Sequence, residues 1–158
     1  MGLLNPFVPN YHIYHCPEDV STQNYPTPTG APRIRSISCS QVFAGGPWLP
    51  AAYYWTYTKT TQIIKASDTW VFIDENPATI NDAAFAVQMT PPGSFTGMNI
   101  DHPAPCHNGA SGMAFSDGHS IIHKWRSPLM WDPSTTSSSD PAFLADCIWL
   151  SQETTVQR

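Results

Sequence analysis

Sixteen prolines are spread along these 158 residues, and they exclude most of the chain from regular helix. Proline fixes φ, removes a backbone donor and breaks a helix interior. Pro17, Pro26, Pro28 and Pro32 make residues 16–32 a loop. A second proline- and glycine-rich loop is expected over residues 86–111. Only Pro141–Leu150 has good helical length, and there the proline stands at the first turn behind Asp140, an acceptable start. The chain must therefore build its core from short strands.

Strand signals are distributed accordingly. Arg33–Phe43 places Ile34, Ile37 and Val42 among polar residues, and Thr69–Ile73 is rich in β-formers. Asp117-Gly118 separates Gly112-Met-Ala-Phe-Ser from His119-Ser-Ile-Ile-His-Lys-Trp125. An Asp-Gly pair between strand-like runs signals a hairpin, with a turn that needs positive φ at both central positions. Tyr11–His15 alternates like a strand, Thr61–Lys65 fits one helical turn or a strand, and residues 134–139 read as a loop. The resulting expectation is one α+β domain over residues 1–158, with an antiparallel sheet of about four strands, long Pro/Gly-rich loops and a C-terminal helix. This length suits a single core.

Composition narrows the function. Charged residues are 12% of the chain, about half the usual share, while aromatics also reach 12%. Seven Lys or Arg and a net charge of −5 exclude a basic nucleic-acid footprint and an anionic-membrane anchor. The four cysteines, 16, 39, 106 and 147, contain no C-x-x-C spacing. They allow three pairings, which the sequence does not choose among. An oxidising compartment favours at least one bridge, with Cys39–Cys106 a candidate; the alternative is four buried small hydrophobes.

Three constellations carry possible chemistry. The first is acidic: Asp74, Glu75, Asp82, Asp101 and Asp117. Asp74 and Glu75 are strand neighbours and point to opposite faces. One of them with Asp117 is the better catalytic pair, and carboxylates roughly 5 Å or roughly 6.5–9.5 Å apart suit glycoside hydrolysis. The alternative is structural, with Asp117 shaping a turn and Glu75 capping a loop. The second is histidine: 12, 15, 102, 107, 119 and 123. His107, His119 and Asp117 offer zinc ligands without a contiguous signature; the alternative is histidines bonded to loop backbone. The third is the stretch Trp48–Tyr57, in which Trp48, Tyr54 and Trp55, with His107 and His119, are candidate substrate contacts for a polysaccharide or protein partner. Core filling is the competing role. A Gly-x-Ser-x-Gly elbow and a phosphate loop are both absent.

The stretch from His107 to Gly118 is a His, nine residues, then Asp-Gly. It resembles the bacterial pseudopilin-like proteins marked by that signature, relatives of the major pseudopilin of type II secretion. Tyr14-His-Cys-Pro-Glu-Asp19 is similar to the family's Cys-Pro-x-Asp turn, and Arg33-Ile-Arg-Ser-Ile-Ser38 to its Arg-x-Arg-Ser-Tyr-Ser strand. Ile63–Glu75, Ile80–Phe85 and His119–Trp125 also match, in the family's order, from about Leu4 to the end. Cys39 and Cys106 stand where the family usually has other residues.

The resemblance implies a globular head domain, secreted or on the cell surface, serving secretion or surface assembly. The family's leader, processing site and stalk helix have no counterpart in Met1–Pro9, which is neither signal peptide nor membrane span. The chain thus reads as the head alone, unable to form a fibre, with an apolar face suited to a homodimer. The alternative function is a small secreted glycoside hydrolase, cellulase-like, using Asp74, Glu75 and Asp117 on β-glucans. No cofactor is required. The resemblance implies calcium ahead of zinc, but calcium needs roughly six to eight oxygens and no Asp/Asn run supplies them.

Overall fold

A computed structural model of the chain describes residues 6–8, 10–22, 29–43, 48–90 and 97–158. The loop prolines at 26, 28, 47, 91 and 92, and Leu4, where the expected resemblance begins, lie outside the described residues. The architecture is α+β. Five strands form one sheet: β1 (Ile37–Ser40), β2 (Trp70–Asp74), β3 (Ala84–Phe85), β4 (Ala110–Phe115) and β5 (Ser120–Lys124). One α-helix, α1 (Pro141–Gln152), follows, and 3-10 turns stand at Tyr11–Tyr14, Gln41–Phe43, Thr60–Gln62, Ala66–Asp68 and Pro128–Trp131.

The strand order is β3-β1-β2-β4-β5. Neighbours are antiparallel except β1 and β3, which run parallel through Cys39↔Ala84 and Ser40↔Phe85. The expected four-stranded antiparallel sheet is therefore a five-stranded mixed one. The addition is a two-residue strand from the Ile80–Phe85 segment, too short to announce itself by alternation.

The strand expected over Arg33–Phe43 is confined to Ile37–Ser40. At its end the Ser40 hydroxyl accepts from Val42 N–H (3.4 Å), and the chain turns into a 3-10 helix while Gln41 donates to Val87 O (2.6 Å). Such local bonds offer the backbone an alternative to the ladder. Before the strand, Arg33 is held by Ser21 Oγ (3.0 Å) and by Pro77 O.

The β4–β5 hairpin forms as expected, with a different turn. Gly118 N–H donates to Phe115 O (3.0 Å) and Phe115 N–H to His119 O (2.9 Å). In this turn only Gly118 has positive φ, at 97°. Asp117 keeps an ordinary conformation because the connection spans four residues, and a single left-handed glycine suffices there.

The helix packs on one sheet face. Trp70, Ile73, Met113 and Phe115 from that face meet Phe143, Cys147 and Leu150 of α1, all buried. Asp140 caps the helix by accepting from Phe143 N–H (2.9 Å), with Pro141 at its first position. The sheet's other face carries Ile37, Phe72, Ala114 and Ile122 around a shallow depression of about 310 Å³. Ile122 is 61% exposed, so this face is apolar and largely uncovered by described residues. Asp74 stands at its edge. Among the described residues, no helix is long and apolar enough to cross a membrane.

Candidate functional site

Asp117 does not join Asp74 and Glu75 at one site. Asp74 and Glu75 point to opposite faces, as strand geometry requires. Asp117 sits at the hairpin tip, beside the start of β2, where Ser116 N–H bonds to Thr69 O (2.9 Å). Five residues of extended chain separate Thr69 from Asp74, about 16 Å at roughly 3.3 Å per residue. This exceeds either glycosidase spacing. Asp117 instead accepts from His119 N–H (3.0 Å) and contacts its Nδ1 (2.7 Å). His119 also stacks on Phe115, with ring centroids 4.3 Å apart.

Glu75 is fully buried. Its carboxyl group is pushed up to about 8, chiefly by burial and further by nearby Asp101, against hydrogen bonds from Ser38 and Thr79 and the charge of Arg35. It therefore reads as a neutral acid inside the fold at pH 7. Asp101 accepts from Ala86 N–H (2.7 Å) and is raised to about 6, again mainly by burial. Asp82 is exposed and caps Ala84 N–H (2.8 Å).

The aromatic stretch divides between surface and core. Trp48, Tyr53 and Trp55 are exposed, whereas Tyr54 and Tyr57 are buried. Tyr54, expected as a substrate contact, donates its hydroxyl to Thr90 O (2.7 Å) and belongs to the core. Arg158 lies over the Trp55 ring at 4.6 Å.

The expected zinc ligands His107, His119 and Asp117 are not brought together: His107 precedes β4, and the other two follow it at the opposite end. His102 bonds Thr135 O (2.9 Å), and His123 stacks on Trp149 of α1 with centroids 3.6 Å apart. Both fill structural roles. All four cysteines are free, so the expected Cys39–Cys106 bridge is not formed. Cys39 lies on β1 opposite Phe72, whereas the Cys106 thiol neighbours that of Cys16.

Another cluster forms where sequence order gave no hint. Among the described residues, Cys16, Asp74 and His107 are the one group in which three Cys, His, Asp or Glu donors converge, all within 4.8 Å. Each arrives from a different part of the chain. Cys16 follows the 3-10 turn at Tyr11–Tyr14, and its segment is tied to the chain before β1: Cys16 N–H donates to Ser36 Oγ (2.6 Å) and Ser36 N–H to Tyr14 O (2.8 Å). Asp74 ends β2. His107 stands in the turn before β4, where Asn108 and Gly109 have positive φ (57° and 75°) and reverse the chain.

The contacts centre on one nitrogen. His107 Nε2 lies 3.6 Å from Cys16 Sγ and 3.4 Å from Asp74 Oδ2. Asp74 Oδ2 also accepts from Gly112 N–H (2.7 Å). A Cβ at Gly112 would stand 2.9 Å from that oxygen, so glycine is what admits the carboxylate. Burial raises the proton affinity of Asp74, opposed by Gly112 N–H and His107. Asp74 is nearly sealed and His107 partly open, with side-chain exposures of 6% and 30%. With one carboxylate, this cluster does not fit the oxygen-rich shell of calcium.

Comparison of the chain with protein-family models, curated proteins and solved structures finds no match.

Proposed function

We propose that this chain is a pseudopilin-like head domain, an extracellular component of secretion or surface assembly that works by association rather than turnover. The observation that carries this reading is the apolar sheet face opposite α1, with Ile37, Phe72, Ala114 and Ile122 around its depression. Contiguous exposed apolar surface on a small domain marks a partner site. The His-to-Asp-Gly stretch supports the same reading, since it spans one strand and its hairpin turn. The occupant is a second copy of the chain or a protein of the same assembly.

The separation of the carboxylates counts against glycoside hydrolysis. Asp117 lies at the wrong end of β2 for Asp74, and Glu75 has no exposed surface from which to meet a sugar. The exposed Trp48, Tyr53 and Trp55 remain a surface on which a sugar ring or protein side chain can stack.

The test is sedimentation of the purified chain across a wide concentration range, alone and with an extract of surface-assembly proteins from its source. Self-association or complex formation that Ile122→Asp and Phe72→Asp both weaken is expected. A monomer that binds nothing through this face removes the reading. A parallel assay on soluble β-glucans should release no reducing sugar; turnover abolished by Glu75→Gln or Asp117→Asn would establish the hydrolase instead.

A further inference from the structure

Cys16, Asp74 and His107 resemble the parts of a nucleophilic triad, but their geometry is wrong for one. A Cys–His–Asp relay places thiol and carboxylate on different ring nitrogens, so that one orients the imidazole while the other gives up its proton. Here both approach the same Nε2. Three lone-pair donors aimed at one volume are the arrangement of a coordination shell.

The distances around Nε2 are compatible with zinc. Zinc sits at about 2.3 Å from thiolate sulfur and about 2.0–2.1 Å from imidazole nitrogen or carboxylate oxygen, so tetrahedral bonding sets S···N near about 3.6 Å and N···O near about 3.4 Å. The observed separations are 3.6 Å and 3.4 Å. The donor set of one sulfur, one nitrogen and one oxygen suits zinc and excludes magnesium or calcium.

A buried acid–base pair stands in the same turn as Cys16. Asp19 Oδ2 and His15 Nε2 are buried without a hydrogen-bond partner, 3.9 Å apart. Asp19 is 6% exposed, and its N–H donates to Cys16 O (2.9 Å). Gly112 N–H meanwhile fixes the Asp74 carboxylate, as outer-shell donors do in metal sites.

We propose that Cys16 Sγ, Asp74 Oδ2 and His107 Nε2 form a tetrahedral zinc site that joins the N-terminal segment to the sheet and leaves its fourth position to water. Binding forms one zinc–thiolate bond and releases the Cys16 proton to solvent, with no change of oxidation state. Cys106 is a neighbour and not a ligand. The site is independent of whether the head-domain reading holds.

Cobalt(II), which takes zinc's geometry and is coloured, provides the test on the reduced full chain. One equivalent should produce a thiolate-to-cobalt charge-transfer band and the intense visible bands of tetrahedral cobalt, both discharged by zinc. Zinc affinity, measured by competition with a chromophoric chelator, should fall at least 100-fold in Cys16→Ser and in His107→Ala. It should persist in Cys106→Ser and in the remote Cys147→Ser. Wild-type protein that gives no charge-transfer band overturns the proposal without reference to any variant's folding. A band that survives Cys16→Ser and disappears in Cys106→Ser overturns the ligand set.

Discussion

Replacing Glu75 by Gln should reverse the usual cost of a core substitution, and by an amount that depends on pH. Glu75 has no exposed surface, and its carboxyl group is raised from 4.5 to about 8, with burial the largest cause. Below pH 4.5 both folded and unfolded chains hold the proton, and the group has no effect on stability. Between 4.5 and 8 the unfolded chain ionises while the folded one does not. Stability then falls by about 1.4 kcal/mol per pH unit and levels off above 8. The total is on the order of 4–5 kcal/mol, a large part of a small domain's stability. Glutamine keeps the shape and an acceptor for Ser38, and it cannot ionise. The stability difference between Glu75→Gln and wild type should therefore climb along this slope from pH 5 to pH 8. Urea unfolding of both proteins at pH 5, 6, 7 and 8 measures it, with equal m-values as the check on two-state behaviour. Asp101, raised to about 6, titrates in both proteins and largely drops out of the difference. Parallel curves with a constant offset would show that Glu75 ionises normally in the fold, and would refute the argument.

Gly112→Ala drives a Cβ to 2.9 Å from Asp74 Oδ2; overpacking of that kind should cost about 1–3 kcal/mol in urea unfolding and weaken zinc binding together with stability. Asp146→Ala strips the buried N–H of Ser127 (2.9 Å) and the part-buried N–H of Arg126 (2.8 Å) of their shared acceptor, with an expected loss of about 1–3 kcal/mol in the same assay. Tyr54→Phe removes the bond to Thr90 O and should lower stability by about 1 kcal/mol while leaving any polysaccharide binding by the exposed Trp48 and Trp55 intact.

The parts of the fold legible in the sequence are those decided by neighbours along the chain. Asp117-Gly118 marked the β4–β5 turn, and Asp140-Pro141 marked the start of α1, because a left-handed glycine and an N-cap act within a few residues. The parallel pairing of β3 with β1 joins Ala84 to Cys39, and two residues carry no period from which to read it. The burial of Tyr54 between exposed Tyr53 and Trp55 is not legible in the run, because an aromatic run shows which rings are present and not which way each one turns. The cluster at Cys16, Asp74 and His107 was illegible for a stronger reason. Its members are separated by tens of residues: a ring nitrogen meets a carboxylate through the sheet pairing that brings β2 beside β4, and meets the thiol through the bonds that tie the Cys16 segment to Ser36. Along the chain each residue stands alone, Cys16 in a Cys-Pro turn, Asp74 at a strand end and His107 before the glycine run, with nothing to join them.

The two borders of the sheet differ in what they permit. On one side β3 ends after Phe85, giving an incoming strand almost no ladder to extend. On the other side β5 runs for five residues, and its outer peptide groups have no strand partner among the described residues. Unpaired strand borders template further pairing, and a lysine such as Lys124 is one device that discourages it. Any growth of this sheet by added strands is therefore one-directional: a newcomer would enter beside Ile122 and His123, and two copies joined there would meet border to border and close the ladder rather than propagate it.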